Sequence, residues 1–77
     1  MGANEWRFIE DRLIGYLSSG AELHYVEIGG PSGTSKPTAT PAGHAICDMS
    51  IATESNTGKV FFYNETNGWT EQFAFQD

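Results

Sequence analysis

The clearest pattern of apolar and polar positions lies in the last third of the chain, where short β-prone runs alternate with turns. Branched and aromatic residues are concentrated in 51–54, 59–63 and 69–75, as is typical of strands. Polar stretches that end in Gly58 and Gly68 separate these runs, and glycine accepts the left-handed backbone of tight turns. The pattern predicts a three-stranded antiparallel meander.

The two faces of these predicted strands carry different side chains. Alternation in the last strand places Trp69, Phe73 and Phe75 on one face. The middle strand is apolar at every position from 60 to 63, and a strand that is apolar on both faces is usually covered on both. In a chain this short, the second cover must come from the N-terminal segment or from another subunit.

Upstream of the meander, the sequence predicts one more strand and a long connection. Residues 22–28 alternate as a strand does. Residues 29–44 contain all three prolines of the chain, and proline lacks the backbone donor that a central ladder needs. We expect 29–44 to be a surface loop that lies as a strap across a neighbouring subunit.

The N-terminal segment, 5–17, fits two structures. Five apolar residues fall within an arc of roughly 100° at helical spacing: Trp6, Ile9, Leu13, Tyr16 and Leu17. The alternative is a hairpin with strands at about 5–9 and 12–17 and a turn at Glu10-Asp11, which the β-branched and aromatic content favours. The predicted fold class is therefore mainly β, a small antiparallel meander and hairpin domain, with either a helix or a hairpin at its N-terminus.

The length of the chain limits how much core it can build. With 77 residues it forms a single small domain, 1–77. A domain of this size buries about 60% of the surface of its unfolded chain, so its own core is marginal. Cys47 is the single cysteine, which excludes an intrachain disulfide. We therefore expect a homo-oligomer, with a trimer as the favoured state, to supply further stability.

The charge of the chain argues against two classes of partner. Ten acidic and four basic residues give a net charge of −6. Nucleic acids and anionic membranes both attract clustered lysine and arginine, so we expect neither as a partner. Because the sequence has no long apolar run and does not begin with a charged and then apolar stretch, we expect neither a membrane span nor a secretory signal. Together with the free cysteine, this predicts a chain made in a reducing compartment.

Candidate catalytic and metal-binding residues are few. The clustered ligand types are His24, His44, Cys47 and Asp48, and they lack a paired spacing such as CxxC or HxxxH. Neither histidine lies in a recognisable motif beside a nucleophile. We expect no enzyme activity, no cofactor and no metal, and ordinary surface or core roles for these four residues.

The aromatic residues of the C-terminal hairpin are the candidate partner-binding site. One chain of this size leaves such rings uncovered, and an exposed group of them marks a protein-interaction surface. The residues are Phe61, Tyr63, Trp69, Phe73 and Phe75. Tyr63 and Trp69 flank the last turn, where they either pack as a cross-strand pair or present their rings to a glycan.

Four short motifs give the chain a family resemblance. They are ELHYVEI at 22–28, KPT at 36–38, TGKVFFYNE at 57–65 and WTEQFAFQ at 69–76. Together they resemble a family of short structural proteins of tailed bacteriophages and prophages. The resemblance covers about residues 22–77, and its motifs are made of turns and hairpin aromatics.

The resemblance implies a fold and a setting, and it implies no catalytic residues. Asn56 stands where the family pattern often has Asp, and Phe62 where an aliphatic residue is common. A member of this family would be a virion component, such as a head-decoration, head-fibre or tail-associated subunit, made in the cytoplasm of the host bacterium. Its partners would be further copies of itself and a phage capsid or tail protein.

Two functions of other classes stay open at this point. One is a carbohydrate-binding module that uses Tyr63 and Trp69. The other is a small acidic regulator that binds a host protein.

Overall fold

A computed structural model describes residues 5–72, which form one mixed β-sheet. The strands are β1 (Arg7–Tyr16), β2 (Glu22–Gly30), β3 (Ala45–Ile46), β4 (Ile51–Glu54), β5 (Val60–Asn64) and β6 (Gly68–Gln72). Their order across the sheet is β1-β2-β4-β5-β6, with β3 also paired to β2. No helix occurs between residues 5 and 72, so the prediction of a mainly β fold is confirmed. In this part of the chain no helix is long and apolar enough to cross a membrane.

The predicted meander is confirmed, because β4, β5 and β6 pair consecutively and antiparallel. Gly58 and Gly68 take the left-handed backbone that their turns require, with φ of 79° and 77°. The Asn64 side-chain oxygen accepts the backbone N–H groups of Thr66 and Asn67 at 2.8 and 3.0 Å. The chemistry of the turns therefore sets the register of this part of the sheet.

The N-terminal segment is a single ten-residue strand, β1, antiparallel to β2. The helix considered for 5–17 is therefore wrong, and so is the turn at Glu10-Asp11. The register shifts at Ile9 and again at Ile14, where one extra residue forms a β-bulge. Each bulge lengthens the spacing between residues on one face from two to three, so the strand lacks a period of two and resembles a helix in its pattern.

The sequence did not predict the parallel pairing at the centre of the sheet. β2 pairs antiparallel with β1 along one side and parallel with both β3 and β4 along the other. A parallel pair needs a crossover connection, which here runs from residue 31 to residue 50. Residues 29 and 30, assigned to the loop from their composition, belong to β2.

One face of the sheet, here called the covered face, holds the core. Its buried apolar residues are Trp6, Val26, Ile28, Ile46 and Ala52. Partly buried rings of Phe8, Phe61, Tyr63 and Trp69 pack around them. The core therefore lies between the sheet and the crossover connection.

Residues 31–44, here called the strap, lie across the covered face of their own sheet. The Trp6 indole N–H donates to the Thr34 carbonyl at 3.0 Å, and the Trp69 indole N–H donates to the Pro37 carbonyl at 2.8 Å. The Trp6 ring lies directly on Gly30, where a Cβ atom would come within 2.6 Å of it. The strap is thus bound to its own chain by two tryptophans, whereas the sequence predicted a strap across a neighbour.

The opposite side of the same strands is here called the open face. The register places five apolar residues on it: Leu23, Tyr25, Ile51, Val60 and Phe62. None of them is fully buried, and the strap lies on the other side of the sheet. The molecule is accordingly flat, with extents of 40 × 38 × 19 Å.

Candidate functional site

The predicted partner-binding aromatics divide into those that pack inside this chain and those outside the described residues. Phe61, Tyr63 and Trp69 lie on the covered face against the core. Tyr63 and Trp69 meet edge to face, with ring centroids 5.0 Å apart at an angle of 67°, so the cross-strand pair is confirmed. Phe73 and Phe75 lie outside residues 5–72. Contact of any of the five with a partner stays a prediction.

An ion pair that is largely buried holds the strap against the Phe61 ring. The Lys36 ammonium lies 3.6 Å from the centroid of the Phe61 ring and 3.5 Å from a Glu54 carboxylate oxygen. The two side chains are only 14% and 7% exposed. Thr57 donates a further hydrogen bond of 2.6 Å to Glu54. Lys36 therefore anchors the strap by charge and by a cation–π contact, a role that its place in a Pro/Gly-rich segment did not reveal.

The strap also forms an open cleft of about 420 Å³ with the ring of Trp69. Its lining is polar and rich in hydroxyl groups: Ser32, Gly33, Thr34, Ser35 and Lys36. Hydroxyl donors beside an aromatic ring can bind a polar ring-shaped ligand. The cleft is open to solvent.

The open face has the composition of a contact surface. Ile9 is 72% exposed and Met49 is 61% exposed. Met49 has a φ of 72°, a strained conformation for a residue with a side chain. It lines a groove of about 380 Å³ together with Phe62 and Thr70. Aromatic residues and methionine are enriched at the centres of protein interfaces, so this face is a candidate docking surface.

The charges on the open face nearly balance one another. Arg12 pairs with Glu10 at 3.3 Å and lies over the Tyr25 ring, 5.5 Å from its centroid. The Tyr25 hydroxyl donates to Glu27 at 2.9 Å. Burial, and then the hydrogen bond to Glu27, raise the pKa of Tyr25 above its ordinary value. Arg7 lies opposite Gly29, and Glu5 lines a groove with Arg7 and Ile9. This face therefore carries two arginines and three glutamates on a chain of net charge −6.

A cluster of ionisable side chains lies where β1, β2 and the end of the strap meet. His24 is hydrogen-bonded through Nδ1 to Asp11 at 2.5 Å and through Nε2 to Glu22 at 2.8 Å. The His44 ring stacks on His24, with centroids 4.6 Å apart and planes 7° apart. Its Nε2 atom lies 3.4 Å from the same Glu22 oxygen. We call Asp11, Glu22, His24 and His44 the histidine cluster.

The hydrogen bonds of the histidine cluster shift two of its pKa values in opposite directions. The bond to Glu22, and then the bond to Asp11, raise the pKa of His24. The bond to His24 lowers the pKa of Glu22. Both shifts have the same cause, since each carboxylate is most stable opposite a cationic imidazole. The pKa of His24 is therefore higher, and that of Glu22 lower, than either would be without the other.

The structure separates the four ligand types that the sequence grouped together. His24 and His44 meet in the histidine cluster. Cys47 is buried, and its sulfur lies 3.5 Å from the Ser50 hydroxyl. Asp48 accepts the backbone N–H of Glu65 at 2.7 Å. Sequence spacing missed the cluster because it joins distant segments, although Glu22 and His24, two apart on one strand, do share a face.

Comparisons with protein-family models, with curated proteins and with solved structures found no match for this chain.

Proposed function

We propose that this chain is a non-enzymatic structural subunit that assembles by packing its open face against a second copy of itself. The observation that carries the proposal is the apolar character of this face, which the rest of residues 5–72 leaves uncovered. The resemblance of residues 22–77 to phage structural proteins suggests the setting, a virion. There, copies of the chain would decorate the head or join a fibre or tail.

The size of the open face suits an interface between copies. A stable interface buries about 800 Å² on each partner, and the molecule is broad in the plane of the sheet, with extents of 40 × 38 Å against a thickness of 19 Å. Apolar side chains line its centre: Leu23, Tyr25, Ile51 and Phe62. Two sheets that pack face to face in this way form a sandwich about 10 Å apart.

The charge of the open face favours a second copy over an oppositely charged partner. A face with two arginines and three glutamates is nearly balanced and can pair each arginine with a glutamate of a copy, whereas a chain of net charge −6 otherwise repels its copies. The arginines lie beside apolar side chains, as they do in many interfaces. This balance makes the open face the place where copies of an acidic chain can meet.

Sedimentation equilibrium of two matched variants tests the proposal. Ile9→Glu places a charge on the open face, next to Gly29. Leu13→Glu makes the same kind of change at an exposed position on the other side of β1, opposite His24. Ile9→Glu should dissociate the wild-type oligomer, and Leu13→Glu should leave it intact. A monomeric wild type at micromolar concentration, or equal effects of both variants, would contradict the proposal.

The same measurement gives the number of copies. A contact of the open face with itself closes as a dimer, whereas the trimer favoured by the sequence analysis requires two different surfaces in each contact. The virion setting is tested separately by mass spectrometry of purified phage particles, in which the chain should be present at stoichiometric amounts. Its absence from the particles would remove the setting without affecting the self-association result.

A second candidate function is carbohydrate binding in the cleft beside Trp69. The observation in its favour is the hydroxyl-rich lining that the strap places next to this ring. Backbone NMR titration with a panel of oligosaccharides should then shift the amides of Ser32 and Thr34. Trp69→Phe should reduce these chemical-shift changes, although the phenylalanine ring can still pack against Tyr63. An unchanged spectrum at millimolar sugar would exclude this function.

A further inference from the structure

We propose that Glu22, His24 and His44 form a binding site for a divalent transition-metal ion, Zn²⁺ being the best match. One ligand atom from each residue lies within 4.8 Å of the other two. The atoms are two imidazole nitrogens and one carboxylate oxygen, which are ordinary protein ligands of zinc. Three protein ligands leave one position of a tetrahedral ion for water.

The spacing of the ligand atoms is close to that of a tetrahedral site. Two ligands about 2.0–2.1 Å from a tetrahedral ion are about 3.4 Å apart, and His44 Nε2 lies 3.4 Å from Glu22 Oε1. His24 Nε2 lies 2.8 Å from the same oxygen, so the ion would separate this pair by about 0.6 Å. The stacked His44 ring must tilt to direct its nitrogen at the ion, and its one-third exposure leaves room for the tilt.

In neutral His24, the Nε2 atom is available to bind a cation. When Nδ1 donates its proton to Asp11, the Nε2 atom of a neutral imidazole carries a lone pair. That lone pair faces a Glu22 oxygen, which is also an acceptor, at 2.8 Å. Two acceptors at this distance repel unless a cation lies between them. A proton on Nε2 satisfies the pair, and so does a metal ion bound by both atoms.

Asp11 supports the ligand role of His24 from behind. A metal-binding histidine usually donates its other N–H group to a carboxylate, which fixes the ring and makes it a better ligand. The 2.5 Å contact between His24 Nδ1 and Asp11 Oδ1 has this arrangement. Asp11 comes from β1, so the pairing of β1 with β2 positions the imidazole before any ion arrives.

The backbone around His44 is also fixed. Its N–H donates to the Thr40 hydroxyl at 2.9 Å, and its carbonyl accepts the Thr40 N–H at 3.0 Å. Thr40 is 4% exposed. The main chain at the end of the strap is thus held in place while the His44 side chain reaches solvent. A bound ion would join this end of the strap to β2.

Titration of the metal-free full chain with Zn²⁺ and with Co²⁺ tests the site. We expect one equivalent of Zn²⁺ by isothermal titration calorimetry, a higher thermal midpoint, and the visible absorption of tetrahedral Co²⁺. His44→Ala removes a ligand at a partly exposed position and should abolish the Co²⁺ band. Asp11→Asn should weaken Zn²⁺ binding by about 10–100-fold, as loss of an outer-shell partner does. Glu65→Gln, a carboxylate in the β5–β6 turn, is the control for charge.

The outcomes separate a built site from general attraction of cations. Loss of the Co²⁺ band in His44→Ala with wild-type binding in Glu65→Gln supports the proposal. Unchanged binding in His44→Ala, or equal weakening in His44→Ala and Glu65→Gln, overturns it. Should His44→Ala unfold by circular dichroism, Glu22→Gln keeps the size of the side chain and decides in the same way.

Discussion

At the scale of single residues, the Ser50 hydroxyl supplies a hydrogen bond that the backbone at the centre of the sheet lacks. Ser50 is fully buried, and its Oγ atom accepts the backbone N–H of Val26 at 3.1 Å. β3 pairs with β2 up to His24 and β4 pairs with it from Glu27, so Val26 lies between the two parallel partners. The serine side chain takes the place of a backbone carbonyl there.

Ser50→Ala should therefore lower the free energy of unfolding by about 1–3 kcal/mol, because it leaves the buried Val26 N–H without an acceptor. Ser19→Ala, at an exposed position of the β1–β2 turn, is the matched control and should change little. Urea unfolding measures both. Equal midpoints for Ser50→Ala and the wild type would show that another group accepts this hydrogen bond.

His24 gives the residue-scale prediction for pH. Its pKa is raised in the folded chain above the ordinary value of 6.5, so folding binds a proton that the unfolded chain releases. The stabilisation is fully present below pH 6.5 and is lost as pH rises through the folded pKa. In chelator-treated protein the thermal midpoint should fall over this window. Glu22→Gln removes the largest cause of the shift and should flatten the curve; an unchanged slope would contradict this origin.

The strap shows, at the scale of the element, how a segment rich in proline and glycine becomes part of a core. It contributes carbonyl oxygens to two indoles and one ammonium group to a buried carboxylate. Backbone bonds alone would leave it loose, because its prolines lack donors. Lys36 thus fixes the strap to the sheet together with Trp6 and Trp69.

Lys36→Ala should lower the free energy of unfolding by about 3–5 kcal/mol, because it leaves Glu54 charged and buried. Lys36→Met with Glu54→Gln removes both charges and keeps the side-chain volumes, so the double variant should be more stable than Lys36→Ala. Chemical unfolding of Lys36→Met, of Glu54→Gln and of the double variant gives the coupling energy. Additive effects would show that the two residues act independently.

The elements that the sequence predicted are those fixed by neighbours along the chain. Gly58 and Gly68 define turns through their own backbone preference, and the meander follows from them. The sequence pattern did not decide between a helix and a hairpin for β1, because Ile9 and Ile14 bulge out of register. The structure of this segment depends on its pairing with β2. The parallel pairing of β2 with β4 and the contact of His24 with His44 depend on segments distant in sequence, which no local pattern contains.

The whole molecule is a sheet with a core on one side. The covered face holds the buried residues, while the apolar residues of the open face stay partly in water. A chain of this size has a marginal core, so burial of the open face would add a large share of its stability. The unequal faces are the main link between the fold and the proposed assembly.

The thermal midpoint of the wild type should therefore rise with protein concentration, because association stabilises the folded state by mass action. Differential scanning calorimetry over a hundredfold range of concentration measures the effect. Ile9→Glu should lower the midpoint and remove its dependence on concentration. A midpoint independent of concentration in the wild type would show that the folded monomer is stable by itself.

The parallel pairing of β2 with β4 also has a kinetic consequence. It divides the chain into two units with local contacts, the hairpin at 7–30 and the meander at 51–72, joined by a twenty-residue crossover. Each unit forms by closing short loops, whereas docking of the two units must close a long loop. Such non-local pairing slows folding. We expect the two units to form early and their docking to limit the rate. The contacts of the strap, including those of Lys36, would then form after the transition state for folding. They would therefore control the unfolding rate.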